Sequence, residues 1–176
     1  MLLLALLAPL AMADTPVDSI SLAISRGIAA EAARDGRGML AAARSLEALG
    51  AKPRAGEADL AEYWRNRALA RGVRDKAPPV RGRVLGPAYS RGVLAPGAAL
   101  STEQVFLAGQ KAEIALVPQA GRSLTIRVGT VDKAICERVS ANVRVKCDWI
   151  PTFTRRVQIR VANNGAAPAL YYLVSN

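Results

Sequence analysis

The chain has 176 residues, a formal net charge of +10 from 24 Lys and Arg against 14 Asp and Glu, and no histidine. That length holds one domain of ordinary size or a small domain with an appendage. A hydrophobic share of 51% with only 5% aromatics means a core of Ala, Val, Leu and Ile, and excludes disorder over most of the length.

Without histidine the chain lacks the commonest general base and the commonest transition-metal ligand. Ser-His-Asp and Cys-His catalysis and any His-ligated zinc site are excluded by composition. Residues 1–13, MLLLALLAPLAMA, read as an export signal: the apolar run 2–10 has the length of an h-region and is too short to span a bilayer. Ala11 and Ala13 put small residues where a signal peptidase inspects, although no Lys or Arg precedes the run. The expected location is therefore periplasmic or secreted.

Residues 14–80 have helical composition. Ile20, Ala23, Ile24, Gly27 and Ile28 form an i, i+3, i+4 stripe, with Asp18 or Ser19 as the expected cap. RDGRG at 34–38 is expected to break that helix, and a second one to run from about Met39 to Leu49 with Leu40, Ala43 and Leu46 inward and Gly50 as its stop. AKPRAG at 51–56 reads as a turn. From 57 to 73 the pattern is helical again, with Leu60, Trp64 and Ala68 four apart and Leu69 beside them. Tyr63 and Trp64 are expected to pack this helix on its neighbours. A sharper reading of the same residues is an aromatic and arginine surface for an anionic partner.

The composition then shifts. Residues 14–80 carry eleven Lys and Arg against nine Asp and Glu, whereas 81–176 carry thirteen against five. With the double proline at 78–79 this places a domain boundary at 80/81. Beyond it the apolar period changes to two. Short strands are expected at 83–85 and 91–94, then at VFLAG (105–109), AEIALVP (112–118), SLTIRVGT (123–130), ICERV (135–139), VRVKCDW (143–149), RRVQIRVAN (155–163) and ALYYLVS (169–175). Short strands at near-regular spacing, seven of them from 105 onward, read as a β-sandwich. The expected fold class is α+β: an N-terminal helical segment of two or three helices, then an antiparallel jelly-roll-like sandwich.

Export decides how Cys136 and Cys147 are read, because an isolated pair bridges in an oxidising compartment. ERVSANVRVK between them looks like two short strands about a turn, so the bridge is expected to cross a hairpin. In the sandwich Trp149 is expected to pack against that bridge, Asn163 and Gly165 to make a tight turn, and Tyr171 and Tyr172 to point to opposite faces of the last strand.

The order FLAGQ, AEIALVP, LTIRV with an acidic turn, then C…C-D-W-I-P, V-x-N-x-G and A-x-Y-x-L resembles the bacterial pre-peptidase C-terminal domains over about the last ninety residues. The resemblance implies a small jelly-roll-like sandwich of an exported protein, accompanying a protease or another secreted enzyme and not itself catalytic. Some members hold calcium through clustered carboxylates. The corresponding turn here, VGTVDKA, offers only Asp132, so no metal or other cofactor is expected.

What remains is positive charge. Arg127, Arg156 and Arg160 fall on the polar phase of their strands and, with Lys146, are the candidate binding residues. Such a basic face suits a protein or an anionic envelope polysaccharide or lipid surface, and no recognition motif argues for nucleic acid. The leading expectation is a non-catalytic binding or accessory module. The alternative is a carboxylate-dependent hydrolase of envelope glycans, drawing acids from Glu57, Asp59 and Glu62 together with Glu103, Glu113 and Asp148, within about 10 Å in one cleft.

Overall fold

A computed structural model describes residues 14–76, 86–119, 121–130 and 132–176. The export signal expected at 1–13, the strand expected at 83–85 and the boundary expected at 80/81 lie outside the described residues. The described part contains three helices, α1 (Pro16–Ala32), α2 (Gly36–Ala48) and α3 (Leu60–Leu69). Its nine strands are β1 (Lys52–Pro53), β2 (Ala88–Leu94), β3 (Ala99–Phe106), β4 (Ala112–Pro118), β5 (Leu124–Gly129), β6 (Ala134–Val139), β7 (Val145–Trp149), β8 (Arg155–Asn163) and β9 (Ala169–Ser175).

The strands form two sheets, β1-β2-β9-β4-β7 (sheet A) and β3-β8-β5-β6 (sheet B), antiparallel throughout except where β1 pairs in parallel with β2. Along β8 the pleat sends Val157, Ile159 and Val161 inward and leaves Arg156 and Arg160 outside. Sheet A is covered on both faces. On β4, Ile114 and Leu116 enter the core between the sheets, while Ala115 and Val117 join a second core with the helices. On β9, Tyr171 and Leu173 face the sandwich, and Tyr172 and Val174 face the helices. The α+β class holds, and the layering is helices, sheet A, sheet B.

Local chemistry explains where the helices begin. Thr15 caps α1, its Oγ1 accepting from Asp18 N at 3.3 Å, and Pro16 occupies the first turn, where a missing N–H costs nothing. The helix thus starts before the expected Asp18 or Ser19 cap, and the Asp18 carboxylate is free for other partners. The break at 34–38 is shorter than expected: Asp35 caps α2, and Gly36 and Gly38 lie inside its first turn. A Cβ on Gly36 would meet Val73 Cγ2 at 2.7 Å, so close packing and not chain reversal calls for glycine there. In α3, Leu60, Trp64 and Ala68 are buried as their spacing implies, whereas Leu69 is exposed. The expected turn at 51–56 includes the two-residue strand β1, paired Lys52 to Ala88 and Pro53 to Tyr89.

Cys136 and Cys147 are bridged, with Cα atoms 5.8 Å apart. The bridge does not cross a hairpin. β6 pairs with β5 in sheet B and β7 with β4 in sheet A, so the disulfide joins the two sheets at their end strands.

Candidate functional site

The outer face of sheet B carries three of the four candidate binding residues. Arg127 on β5 lies directly opposite Arg160 on β8, and Arg156 stands two positions further along the same face of β8. β3 adds Ser101, opposite Arg160, and Glu103, opposite Gln158; β6 adds Glu137, opposite Arg127. Two of the three arginines have partners: Arg156 Nη1 is 3.3 Å from Glu103 Oε2, and Arg127 Nε is 3.9 Å from Glu137 Oε2. Arg160 has no ion-pair partner among the described residues. Like charges directly opposed across two strands oppose folding by a few tenths of a kcal/mol or more, and an anion between them would relieve that repulsion. Paired guanidinium forks suit phosphate, sulfate or carboxylate oxygens.

Lys146 is placed elsewhere, on β7 of sheet A. Its Nζ lies 2.6 Å from Asp18 Oδ2 and 3.3 Å from Glu113 Oε1. Arg144 Nη1 reaches the other Asp18 oxygen at 3.2 Å and Ser21 Oγ at 3.1 Å, and Lys111 reaches Glu113 at 2.9 Å. This cluster fastens the first turn of α1 to the edge of sheet A. Burial pushes the Asp18 and Glu113 carboxyls up, but the surrounding lysines, Arg144 and Thr15 more than offset it and hold both below the ordinary carboxylate value. A carboxyl depressed in the folded state stabilises above its unfolded pKa and loses that contribution as pH falls through its folded pKa. Stability is therefore expected to decline below about pH 4. Asp18→Asn is expected to cost on the order of 1–3 kcal/mol at neutral pH and to make the acid decline shallower. Urea titrations at pH 7 and pH 3 check both; an unchanged acid dependence would place its origin outside this cluster.

The remaining singled-out residues hold the sandwich together. Trp149 shares the face of Cys147 on β7, is half-buried and meets Phe106 edge-on, with centroids 4.8 Å apart and planes at 67°. Asn163 is buried and joins two connections, β2–β3 and β8–β9. Its Nδ2 donates to the carbonyls of Leu94, Ala95 and Ala167, at 3.0, 3.2 and 2.9 Å, and its Oδ1 accepts from Gly165 N at 3.0 Å. That is the Asn-x-Gly turn, extended to the β2–β3 connection.

Of the acids named for a hydrolase, Glu57 and Asp59 share a cleft, while Glu103, Glu113 and Asp148 lie apart from it. Glu57 and Asp59 line a cleft of about 720 Å³ between the helices and sheet A, along with Glu31, Tyr63, Tyr89, Arg91 and Tyr172. Glu103 lies on the outer face of sheet B, Glu113 in the lysine cluster, and Asp148 at the exposed edge beside Lys111. The acids in the cleft already serve the fold. Glu31 accepts from Tyr63 Oη at 2.6 Å and Trp64 Nε1 at 3.1 Å, Glu57 accepts from Arg91 N at 2.6 Å, and Asp59 caps α3. Tyr63 is partly exposed, with Arg67 above its ring at 5.4 Å, while Trp64 is wholly buried. Sequence patterning did not reveal this cleft, because its walls come from segments more than a hundred residues apart. Among the described residues no group of three or more His, Cys, Asp or Glu is placed to hold a metal ion, and no helix is long and apolar enough to cross a membrane.

No family model matches the chain, and no curated protein does. Among solved structures the chain is similar to the pre-peptidase C-terminal domain of collagenase from Bacillus anthracis, at 11% identity and a TM-score of 0.43, over 51% of this chain and 89% of that one. It is also similar to the periplasmic inhibitor of g-type lysozyme from Aeromonas hydrophila, at 12% identity and a TM-score of 0.37, over 51% and 86%. A de novo designed double-stranded β-helix matches at 9% identity and a TM-score of 0.35, over 50% and 97%. At these identities and scores the likeness assigns no family.

Proposed function

We propose that the protein is an exported, non-catalytic binding module that engages an anionic surface, of envelope polysaccharide, lipid or partner protein, through the outer face of sheet B. The observation that carries this reading is the cross-strand pair Arg127 and Arg160 on a sheet face that the helices do not cover. Sheet A is enclosed by helices on one side and by sheet B on the other, so among the described residues sheet B alone offers a broad open face. In this reading residues 14–80 brace the sandwich and residues 81–176 present the surface. The signal-like apolar run at 1–13 and the disulfide support a periplasmic or secreted location. The motif order of the last ninety residues supports a sandwich of the pre-peptidase C-terminal kind.

Binding of this sort weakens as salt screens the charges. The chain is expected to be retained on a sulfated-polymer matrix at low ionic strength and released toward physiological strength. Arg127→Gln with Arg160→Gln is expected to weaken retention about tenfold, with an unchanged or slightly raised melting temperature because the like-charge pair is gone. Retention independent of salt, or indifferent to both substitutions, would overturn the reading.

A further inference from the structure

One end of the sandwich exposes apolar side chains that no part of the described fold uses. Leu107, Ile150 and Phe153 are 51%, 66% and 75% exposed, and they come from two loops, 107–111 after β3 and 150–154 after β7. The loops are tied to each other: Ala108 N donates to Thr154 Oγ1 at 3.0 Å, and Gly109 N to Pro151 O at 2.8 Å. Immediately behind them on the chain, Phe106 and Trp149 make the edge-on pair described above. The tip is therefore a held shape and not a frayed end. It stands next to cations: the register pairs Arg155 with Phe106 and Arg156 with Val105, itself exposed, and Lys111 ends the first loop. Of the nearby carboxylates, Glu103 is paired with Arg156 and Asp148 with Lys111, while Arg155 has no ion-pair partner among the described residues.

We propose that this tip seats the protein on a lipid bilayer rich in anionic phospholipid, with Leu107, Ile150 and Phe153 entering the headgroup and upper acyl region and Arg155 and Arg156 binding lipid phosphates. The proposal rests on the reading above, that the partner is an anionic surface, and names that surface. Bare Phe, Ile and Leu beside arginines are the composition of interfacial membrane seating. Protein-binding hot spots favour Trp, Tyr and Arg, with Leu and Val under-represented. The chain's net charge of +10 draws it toward an anionic bilayer before the tip makes contact.

The test is co-sedimentation of the full chain with vesicles of phosphatidylglycerol and phosphatidylcholine, with pure phosphatidylcholine vesicles and the sulfated-polymer matrix as separate arms. The expected result is binding to the anionic vesicles, at least tenfold weaker binding to the neutral ones, and a further tenfold or greater loss in Ile150→Ser with Phe153→Ser. That double variant is expected to melt like the parent chain, since both side chains are exposed, and to stay on the sulfated matrix. Arg155→Gln with Arg156→Gln is expected to weaken both arms. A Phe153→Trp variant is expected to show blue-shifted emission on adding anionic vesicles. If the serine variant sediments like the parent, or the tryptophan emission does not move, the inference falls while the anionic-surface reading stands. If the parent chain is held by the matrix but not by vesicles, the partner is a polymer or a protein and the inference falls. If neither arm holds the parent chain, both fall.

Discussion

Replacing Trp64 with alanine is expected to lower stability by about 3–5 kcal/mol, a large part of the 5–15 kcal/mol that a domain of ordinary size has in total. Trp64 is fully buried in the centre of α3, and its ring lies against the backbone of α1 at Gly27. A Cβ at Gly27 would sit 2.1 Å from Trp64 Cη2, so the glycine leaves the space that the indole fills. Truncation opens a cavity that helices braced on a sheet can close only in part. It also removes the Nε1 donor from Glu31, leaving one oxygen of a partly buried carboxylate short of a partner. The loss is expected to be cooperative, not confined to the helices, because Tyr89, Ala115, Val117, Tyr172 and Val174 of sheet A belong to the same apolar core as Trp64. Helical and near-ultraviolet circular dichroism should therefore melt together at a lower denaturant concentration. Two separate transitions would mean that the helices stand apart from the sandwich, and a loss below about 1 kcal/mol would mean that the Gly27 contact is loose.

Elements with a clear period were legible from the chain. β8 and β9 fall where the patterns RRVQIRVAN and ALYYLVS place them, and β4 coincides with AEIALVP. The inward residues of α1, α2 and α3 lie largely on the stripes that their spacing defines, because a helix buries one face whatever it packs against. The layering was written in the same strings but is harder to read. AEIALVP and ALYYLVS are apolar on both phases, the mark of a strand covered on both faces, and only strands of sheet A that also touch helices need that. Pairings between distant segments left little local trace. The two residues of β1 have no period, and ERVSANVRVK suits a hairpin as well as it suits a crossing from sheet B to sheet A. At the candidate surface, alternation placed Arg127, Arg156 and Arg160 outward, but it could not say which strands would be neighbours. Lys146 follows the same alternation, yet sheet A turns that face toward α1, where Asp18 waits. The tip residues Leu107, Ile150 and Phe153 lie in loops, where no period exists to mark them as exposed.

The second large effect concerns the disulfide. Changing Cys136 and Cys147 to serine is expected to cost roughly 3 kcal/mol, the loop-entropy value for a closure of this length, with the effect concentrated at one side of the sandwich. Each sheet ends in the strand that carries a half-cystine: β7 is outermost in sheet A and β6 outermost in sheet B. An edge strand has one hydrogen-bonding neighbour, so β6 depends on β5 and β7 on β4, and no hydrogen-bond ladder passes between the sheets there. The covalent bridge supplies that link, and Cys147 is itself buried in the core between the sheets. The serine pair leaves two hydroxyls there, one of them in an apolar setting, which adds to the cost. Hydrogen exchange is expected to separate the local effect from the global one. Amides of β6 and β7 should exchange faster in the variant by more than the shift in overall stability accounts for, while those of β9, paired on both sides by β2 and β4, should follow the global value. Uniform acceleration across all strands would show that the bridge acts only on the unfolded chain. Unchanged exchange at β6 and β7, with an unchanged denaturation midpoint, would show that the sheets are held at that side by packing alone.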